Sequence, residues 1–198
     1  MLKFTKPLIP LNLNKVFFIV LHHTASTTAT PEQIHSWHLE RGFNGFGYNE
    51  YIRKDGTVFI GRGDNIGAQT AYMNSKSYGI CVEGNYDIEK EMPQAQFNSL
   101  VERIKINKVR FNEKVKVEKH NKFSNTSCPG RHFPLEDIIN NKIETEFDKS
   151  LKKLSDAKIM NSTNYWLKNA QKGKTVNGEY AQILINNVAS YMEGHNKP

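Results

Sequence analysis

Val16-Phe17-Phe18-Ile19-Val20-Leu21-His22-His23 is an unbroken apolar run closed by two histidines. A run this short, rich in β-branched and aromatic side chains, suits a strand buried on both faces. It is far shorter than the about 20 residues needed to span a bilayer. The histidines fall where such a strand would leave its sheet, and there a side chain can project from the sheet edge.

Outward from this strand the pattern alternates. Thr30-Pro31-Glu32-Gln33 places a threonine to cap a helix, a proline at its first turn and a glutamine to close a capping box. That helix is expected to run to about Arg41, with Gly42 ending it. Tyr48 to Arg53 and Thr57 to Gly61 flank Lys54-Asp55-Gly56, a hairpin signal. Ser77 to Glu83 reads as another strand. Pro93 opens a helix whose Phe97, Leu100, Val101 and Ile104 share one face. Val115 and Val117 alternate with lysines in a short strand leading to His120, and a helix is expected from about Leu135 to Phe147. Strands alternating with helices predict an α/β fold, a mixed central β-sheet flanked by helices. Past Lys149 the chain turns polar and lysine-rich, with Tyr165-Trp166 at its centre. Tyr180, Leu184, Val188 and Tyr191 then mark a last amphipathic helix. Residues 1–149 therefore form the expected domain. Residues 150–198 form a small, mainly helical appendage, too short for a sizeable core of its own, and it is expected to dock on the first domain or on another copy of itself.

The composition, 38% hydrophobic and 24% charged over 198 residues, is that of a globular chain. Residues 1–12 hold no continuous apolar stretch and no small-residue cleavage site. No secretory signal is read there, and synthesis in the cytoplasm is expected. The net charge is +7, and residues 1–134 carry 18 Lys and Arg against 12 Asp and Glu. Such a charge attracts polyanions. No basic motif interleaved with aromatics and no zinc-finger spacing points to nucleic acid, whereas anionic wall polymers and membranes remain open. In a chain made in the cytoplasm, Cys81 and Cys128 are expected as a metal ligand or a buried thiol rather than a disulfide.

His22, His120 and Cys128 are the residues that bear chemistry. Each histidine ends a strand-like segment, and Cys128 follows eight positions after His120 in a loop bounded by Pro129-Gly130. Zinc favours histidine nitrogen and cysteine sulfur, and three protein ligands leave a fourth position for water. Either spacing alone is weak, and His132 is the best alternative ligand. His23 should point to the face opposite His22. His35 and His38, three apart around Trp37, read as a helix packed beside the sheet rather than a metal pair.

Taken in order, Leu21-His22-His23-Thr24-Ala25, Gly47-Tyr48-Asn49, Lys54-Asp55-Gly56-Thr57-Val58, Gly61-Arg62-Gly63 and Ile66-Gly67-Ala68 form one series. It continues through Ser77-Tyr78-Gly79-Ile80, Glu83-Gly84-Asn85, His120 and Thr126-Ser127-Cys128-Pro129-Gly130. The series resembles the type-2 N-acetylmuramoyl-L-alanine amidases, a family that includes short phage amidases and animal peptidoglycan recognition proteins. The resemblance covers about residues 14–147. It implies zinc ligands at His22, His120 and Cys128, and a tyrosine assisting catalysis at Tyr48. Thr126 stands where the phage enzymes have lysine and the recognition proteins often have threonine, so a weaker hydrogen-bonding part is expected of it. Cytosolic muropeptide amidases of the family carry glutamate at the position of Cys81, which here is expected to fill the core. Glu50, two residues past Tyr48, would share its face in a strand and is the expected replacement acid; Glu83 is a lesser candidate. Arg62 and Asn85 are expected along the substrate groove.

The resemblance implies hydrolysis of the bond between N-acetylmuramic acid and L-alanine in bacterial peptidoglycan, with Zn2+ as cofactor and with wall polymers as further partners. A leaderless basic amidase with a small appendage looks like a phage or prophage endolysin, released to the wall through a holin. A non-catalytic recognition module and a cytosolic recycling amidase are the alternatives. The first is disfavoured by Cys128, the second by the missing acid at Cys81.

Overall fold

The computed structural model describes residues 2–111, 115–140, 146–170 and 175–195. The chain divides into two compact units, Met1–Ile143 and Glu144–Pro198. The division expected at 149 falls inside a helix, α4 (Glu146–Asp156).

The first unit is an α/β domain built on a five-stranded mixed sheet. Its strands are β1 (Phe18–His23), β2 (Glu50–Ile52), β3 (Val58–Ile60), β4 (Ser77–Val82) and β5 (Lys116–Lys119), in the order β3-β2-β4-β1-β5. β4 is central; β1, beside it, runs parallel to both β4 and β5, β2 is parallel to β4, and only β3 is antiparallel. Helix α1 (Pro31–Glu40) connects β1 to β2, and α2 (Gln94–Phe111) connects β4 to β5. These crossovers move across the sheet in opposite directions. Since parallel crossovers are right-handed, the two helices are carried to opposite faces.

The core clusters follow that division. Ile19, Leu21, Ile52, Tyr78, Ile80 and Val82 pack with Phe97, Leu100, Val101 and Ile104 of α2. On the other face Tyr51 and Cys81 pack with Ile34 of α1 and Phe46. Strand alternation thus assigns Ile19 and Leu21 to the α2 side and turns His22 toward the α1 side.

Local signals were strong where they concerned a single element. Thr30 accepts from Gln33 N at 3.2 Å while Gln33 Oε1 accepts from Thr30 N at 2.8 Å, so both halves of the capping box form. The hairpin closes with Arg53 N donating to Thr57 O at 2.9 Å. The helix expected over 135–147 is shorter: α3 spans Leu135–Ile139 and ends at Asn140, and residues 141–145 lie outside the described residues.

The second unit contains α4, α5 (Thr163–Asn169) and α6 (Gly178–His195). Leu151, Met160 and Trp166 form its small core, with Leu154, Ala181 and Leu184 packed around them. Tyr165 stacks on Tyr180 with ring centroids 4.3 Å apart. No helix among the described residues is long and apolar enough to cross a membrane.

Candidate metal centre and groove

The parallel strands β1, β4 and β5 end at one edge of the sheet, the place where open α/β sheets bind ligands. His22 pairs in register with Cys81, and Leu21 with Lys119, so His120 comes level with His22 as β5 gives way to a short 3-10 turn. Their rings are 4.5 Å apart between centroids. Cys128 reaches the same point from the following loop, with its Sγ 3.7 Å from His22 Nδ1. Ligand atoms of His22, His120 and Cys128 all lie within 4.8 Å of one another, a cluster able to hold a metal ion.

The loop is fixed by backbone and side-chain bonds together. Asn121 N donates to Cys128 O at 3.0 Å, Cys128 N donates to Thr126 Oγ1 at 3.2 Å, and Ser127 Oγ donates to Asp87 Oδ2 at 2.8 Å. Gly130 adopts φ of 101°, and a Cβ there would come within 2.4 Å of the Tyr86 carbonyl carbon. Only glycine lets the loop turn back so closely.

The donor set suits zinc: two imidazoles and one thiol, with room for a fourth group from the open side. Burial, and then the neighbouring His120, hold His22 well below the ordinary histidine range, while its bond to Gln69 acts the other way. Burial also lowers His120. Both rings are therefore neutral at neutral pH, the state in which imidazole ligates metal. The Cys128 thiol is pushed up to about 12, chiefly by burial and against the pull of the His23 N–H. A bound cation would reverse that, because a coordinating thiol gives up its proton.

The cluster lies in the floor of a groove of about 650 Å³ that also exposes Tyr48, Thr126, His38 and Arg41. The Tyr48 ring sits 5.1 Å from that of His22 and 5.3 Å from that of His38. Burial first, and then the adjoining Cys81 thiol, raise the Tyr48 hydroxyl well above its usual range, so it stays protonated and is a hydrogen-bond donor. Cys81 is fully buried among the α1-side apolar residues. His23 accepts from Tyr86 N at 3.1 Å, and its ring lies against that of Tyr86 in the α2-side core. His132 is exposed and stands outside the cluster. His35 and His38 accept backbone bonds from Phe46 N at 3.0 Å and Gly47 N at 2.9 Å. They brace the chain that leads into Tyr48, and His38 also reaches the groove wall.

The expectation that Glu50 shares a face with Tyr48 needs correction. Tyr48 precedes β2 rather than belonging to it. Between the two residues, the buried Asn49 side chain takes Gly79 N at 2.8 Å and donates to Gly63 O and Asn65 O at 2.7 Å. The chain turns there and the alternation breaks: Tyr48 groups with Tyr51, while Glu50 points to the α2 side. Glu50 is fully buried and accepts from Arg103 at 2.7 and 2.8 Å, Tyr78 Oη at 2.8 Å and Asn107 Nδ2 at 3.0 Å. Glu83 is also committed elsewhere, accepting from Ala29 N at 3.0 Å and Lys54 N at 2.9 Å. Arg62 is buried and donates to Phe46 O at 2.7 Å and Ile66 O at 3.0 Å, and neither it nor Asn85 lines the groove. No carboxylate lines the groove among the described residues.

One residue escaped the sequence reading. Gln69 Oε1 lies 2.5 Å from His22 Nε2, and nothing in its spacing marks it beyond its place after Gly67-Ala68.

Fold and site together define a class: an α/β domain with an open histidine-cysteine cluster, able to hold a metal ion, at the carboxyl edge of its parallel strands. Residues 12–131 match the Amidase_2 family, N-acetylmuramoyl-L-alanine amidase, and the chain belongs to that family. Peptidoglycan-recognition protein SC1a of Drosophila melanogaster is 31% identical over 132 residues, covering 60% of this chain and 70% of that protein. The endolysin of Klebsiella phage KP32 is 40% identical over 80 residues, 38% of this chain and about half (52%) of the endolysin. Among solved structures, the N-acetylmuramoyl-L-alanine amidase LysC from Clostridium intestinale URNW superposes with a TM-score of 0.66 at 32% identity, covering 71% of this chain and 93% of LysC. The relatives thus include an endolysin, an N-acetylmuramoyl-L-alanine amidase and a peptidoglycan-recognition protein. The second unit begins beyond the family match.

Proposed function

We propose that this chain is a zinc-dependent N-acetylmuramoyl-L-alanine amidase that hydrolyses the bond between N-acetylmuramic acid and L-alanine in bacterial peptidoglycan, acting as an endolysin. The observation that carries the proposal is the convergence of His22, His120 and Cys128 within 4.8 Å on the floor of an open groove, with Tyr48 beside them. Zinc held by these three residues would polarise the scissile carbonyl and lower the pKa of a water toward about 7.

The chain's own groups supply the rest. The Tyr48 hydroxyl, held protonated, donates to the oxygen on which charge develops. Thr126 Oγ1 takes the Cys128 N–H and so keeps the ligand loop in place, a supporting part rather than a proton-transfer one. With Glu50 and Glu83 withdrawn, no carboxylate among the described residues stands beside the ligands to carry a proton; Tyr48 acts as the oxyanion donor, and His38, whose Nδ1 takes the Gly47 N–H, shapes the groove wall. The +7 charge favours contact with anionic wall polymers. The second unit contributes wall binding or self-association, and release to the wall would follow synthesis in the cytoplasm, through a holin.

Metal analysis of the purified protein, paired with digestion of isolated cell walls, tests this reading. About one zinc per chain is expected, together with stem peptides bearing a new N-terminal alanine, and Cys128→Ser should abolish the release. Wall binding with neither zinc nor new amino termini would instead make the chain a recognition module.

A further inference from the structure

Gln69 is joined to His22 through a chain of hydrogen bonds whose direction is dictated from one end. Ser77 Oγ has one proton and donates it to Met73 O at 2.8 Å. Toward Gln69 the same oxygen can then only accept, and Gln69 Nε2 donates to it at 3.0 Å. The amide is thereby oriented with Oε1 toward His22, where it also accepts from Thr70 Oγ1 at 2.5 Å. A flipped amide would set its oxygen against a hydroxyl oxygen with no proton left to give.

An amide oxygen accepts and never donates, so the His22 nitrogen facing it must carry the hydrogen. That nitrogen is Nε2, at 2.5 Å. The other ring nitrogen, Nδ1, then has its lone pair free and faces Cys128 Sγ at 3.7 Å. The backbone N–H groups of Gln69 and Thr70 both donate to Asn74 Oδ1 at 2.9 Å, which pins the loop that presents the amide. β4 makes room for it as well. A Cβ on Gly79 would stand 2.6 Å from Gln69 Cδ and 2.7 Å from its Cγ.

We propose that Gln69 is a positioning residue that fixes His22 as its Nε2-protonated tautomer and so presents the Nδ1 lone pair to the metal cluster. The proposal rests on the zinc reading above. It extends it from the ligands to the group that orients one of them, an arrangement that typically governs metal affinity by about 10- to 100-fold.

The test uses the full chain with Gln69→Leu, which removes the acceptor at similar volume, and Gln69→Glu, which keeps an oxygen in place. Zinc affinity is measured by competition with a chromophoric chelator. The His22 tautomer is read in the metal-free protein from long-range 1H–15N correlations. Gln69→Leu should bind zinc about 10- to 100-fold more weakly and lose the pure Nε2–H signature, whereas Gln69→Glu retains that signature and stays within about threefold of wild type in affinity. If Gln69→Leu does not fold, Ser77→Ala interrupts the same chain and should weaken zinc by about tenfold. Wild-type affinity together with an unchanged tautomer in the acceptor-free variant overturns the proposal. Failure of the wild type to bind zinc overturns the metal reading instead, while the tautomer measurement still judges Gln69.

Discussion

Glu50 separates a structural acid from a chemical one, and removing either end of its ion pair makes the distinction measurable. Its carboxylate is fully buried and meets Arg103 in a fork at 2.7 and 2.8 Å, with Tyr78 and Asn107 completing its bonds. Arg103→Met would leave this charge buried without its cation, which costs about 3–5 kcal/mol in comparable pairs. Glu50→Gln costs less, about 2–3 kcal/mol, because the Arg103 side chain is 21% exposed and can turn to solvent. For a unit of this size those losses lower the melting temperature by roughly 5–15 °C. Replacing both residues by methionine should recover part of the loss, since the uncompensated charge is then gone. Thermal unfolding in chelator, followed by circular dichroism, reads the stability. Zinc content and wall hydrolysis at low temperature, where the variants are folded, read the site. The expected result is a large stability loss with hydrolysis per folded molecule near wild type. A Glu50→Gln protein as stable as wild type but inactive would refute the reasoning and return Glu50 to the chemistry.

Three further outcomes follow from the same geometry. Tyr48→Phe should retain zinc and the fold but lower the hydrolysis rate by about 10²–10³, the usual cost of one oxyanion donor, as measured by the release of amino termini from walls. His38 is held at about 4, chiefly by burial and then by Arg41 and Arg62, against 6.5 for a free histidine. Between those values the unfolded chain binds the extra proton. The stability present above pH 6.5 is therefore lost as pH falls toward 4, by about 3 kcal/mol; unfolding of His38→Asn in chelator should show a correspondingly shallower acid slope. Gly79→Ala places a methyl against Gln69 and should weaken zinc binding by about tenfold in chelator competition, with less effect on folding than on affinity.

Much of this protein was legible in its sequence because periodicity and capping are local. The capping box at Thr30 and Gln33, the hairpin around Asp55-Gly56 and the strand ending at His23 each depend on neighbours a few residues away. The period of two in β1 alone assigns His22 and His23 to opposite faces. The order of the motifs then pointed to His22, His120 and Cys128. Alternation misled only where it was carried past the end of a strand, from Tyr48 across Asn49 to Glu50.

What the tertiary structure decided lies in partnerships across long stretches of chain. Glu50 is claimed by Arg103 at a separation of 53 residues, and His22 is oriented by Gln69 at a separation of 47. A carboxylate or an amide carries no local pattern that announces its partner. Which groups meet is settled when the crossovers carry α1 and α2 to opposite faces of the sheet and close the loops over its carboxyl edge. Buried polar groups must then be satisfied by whatever packing has brought within reach.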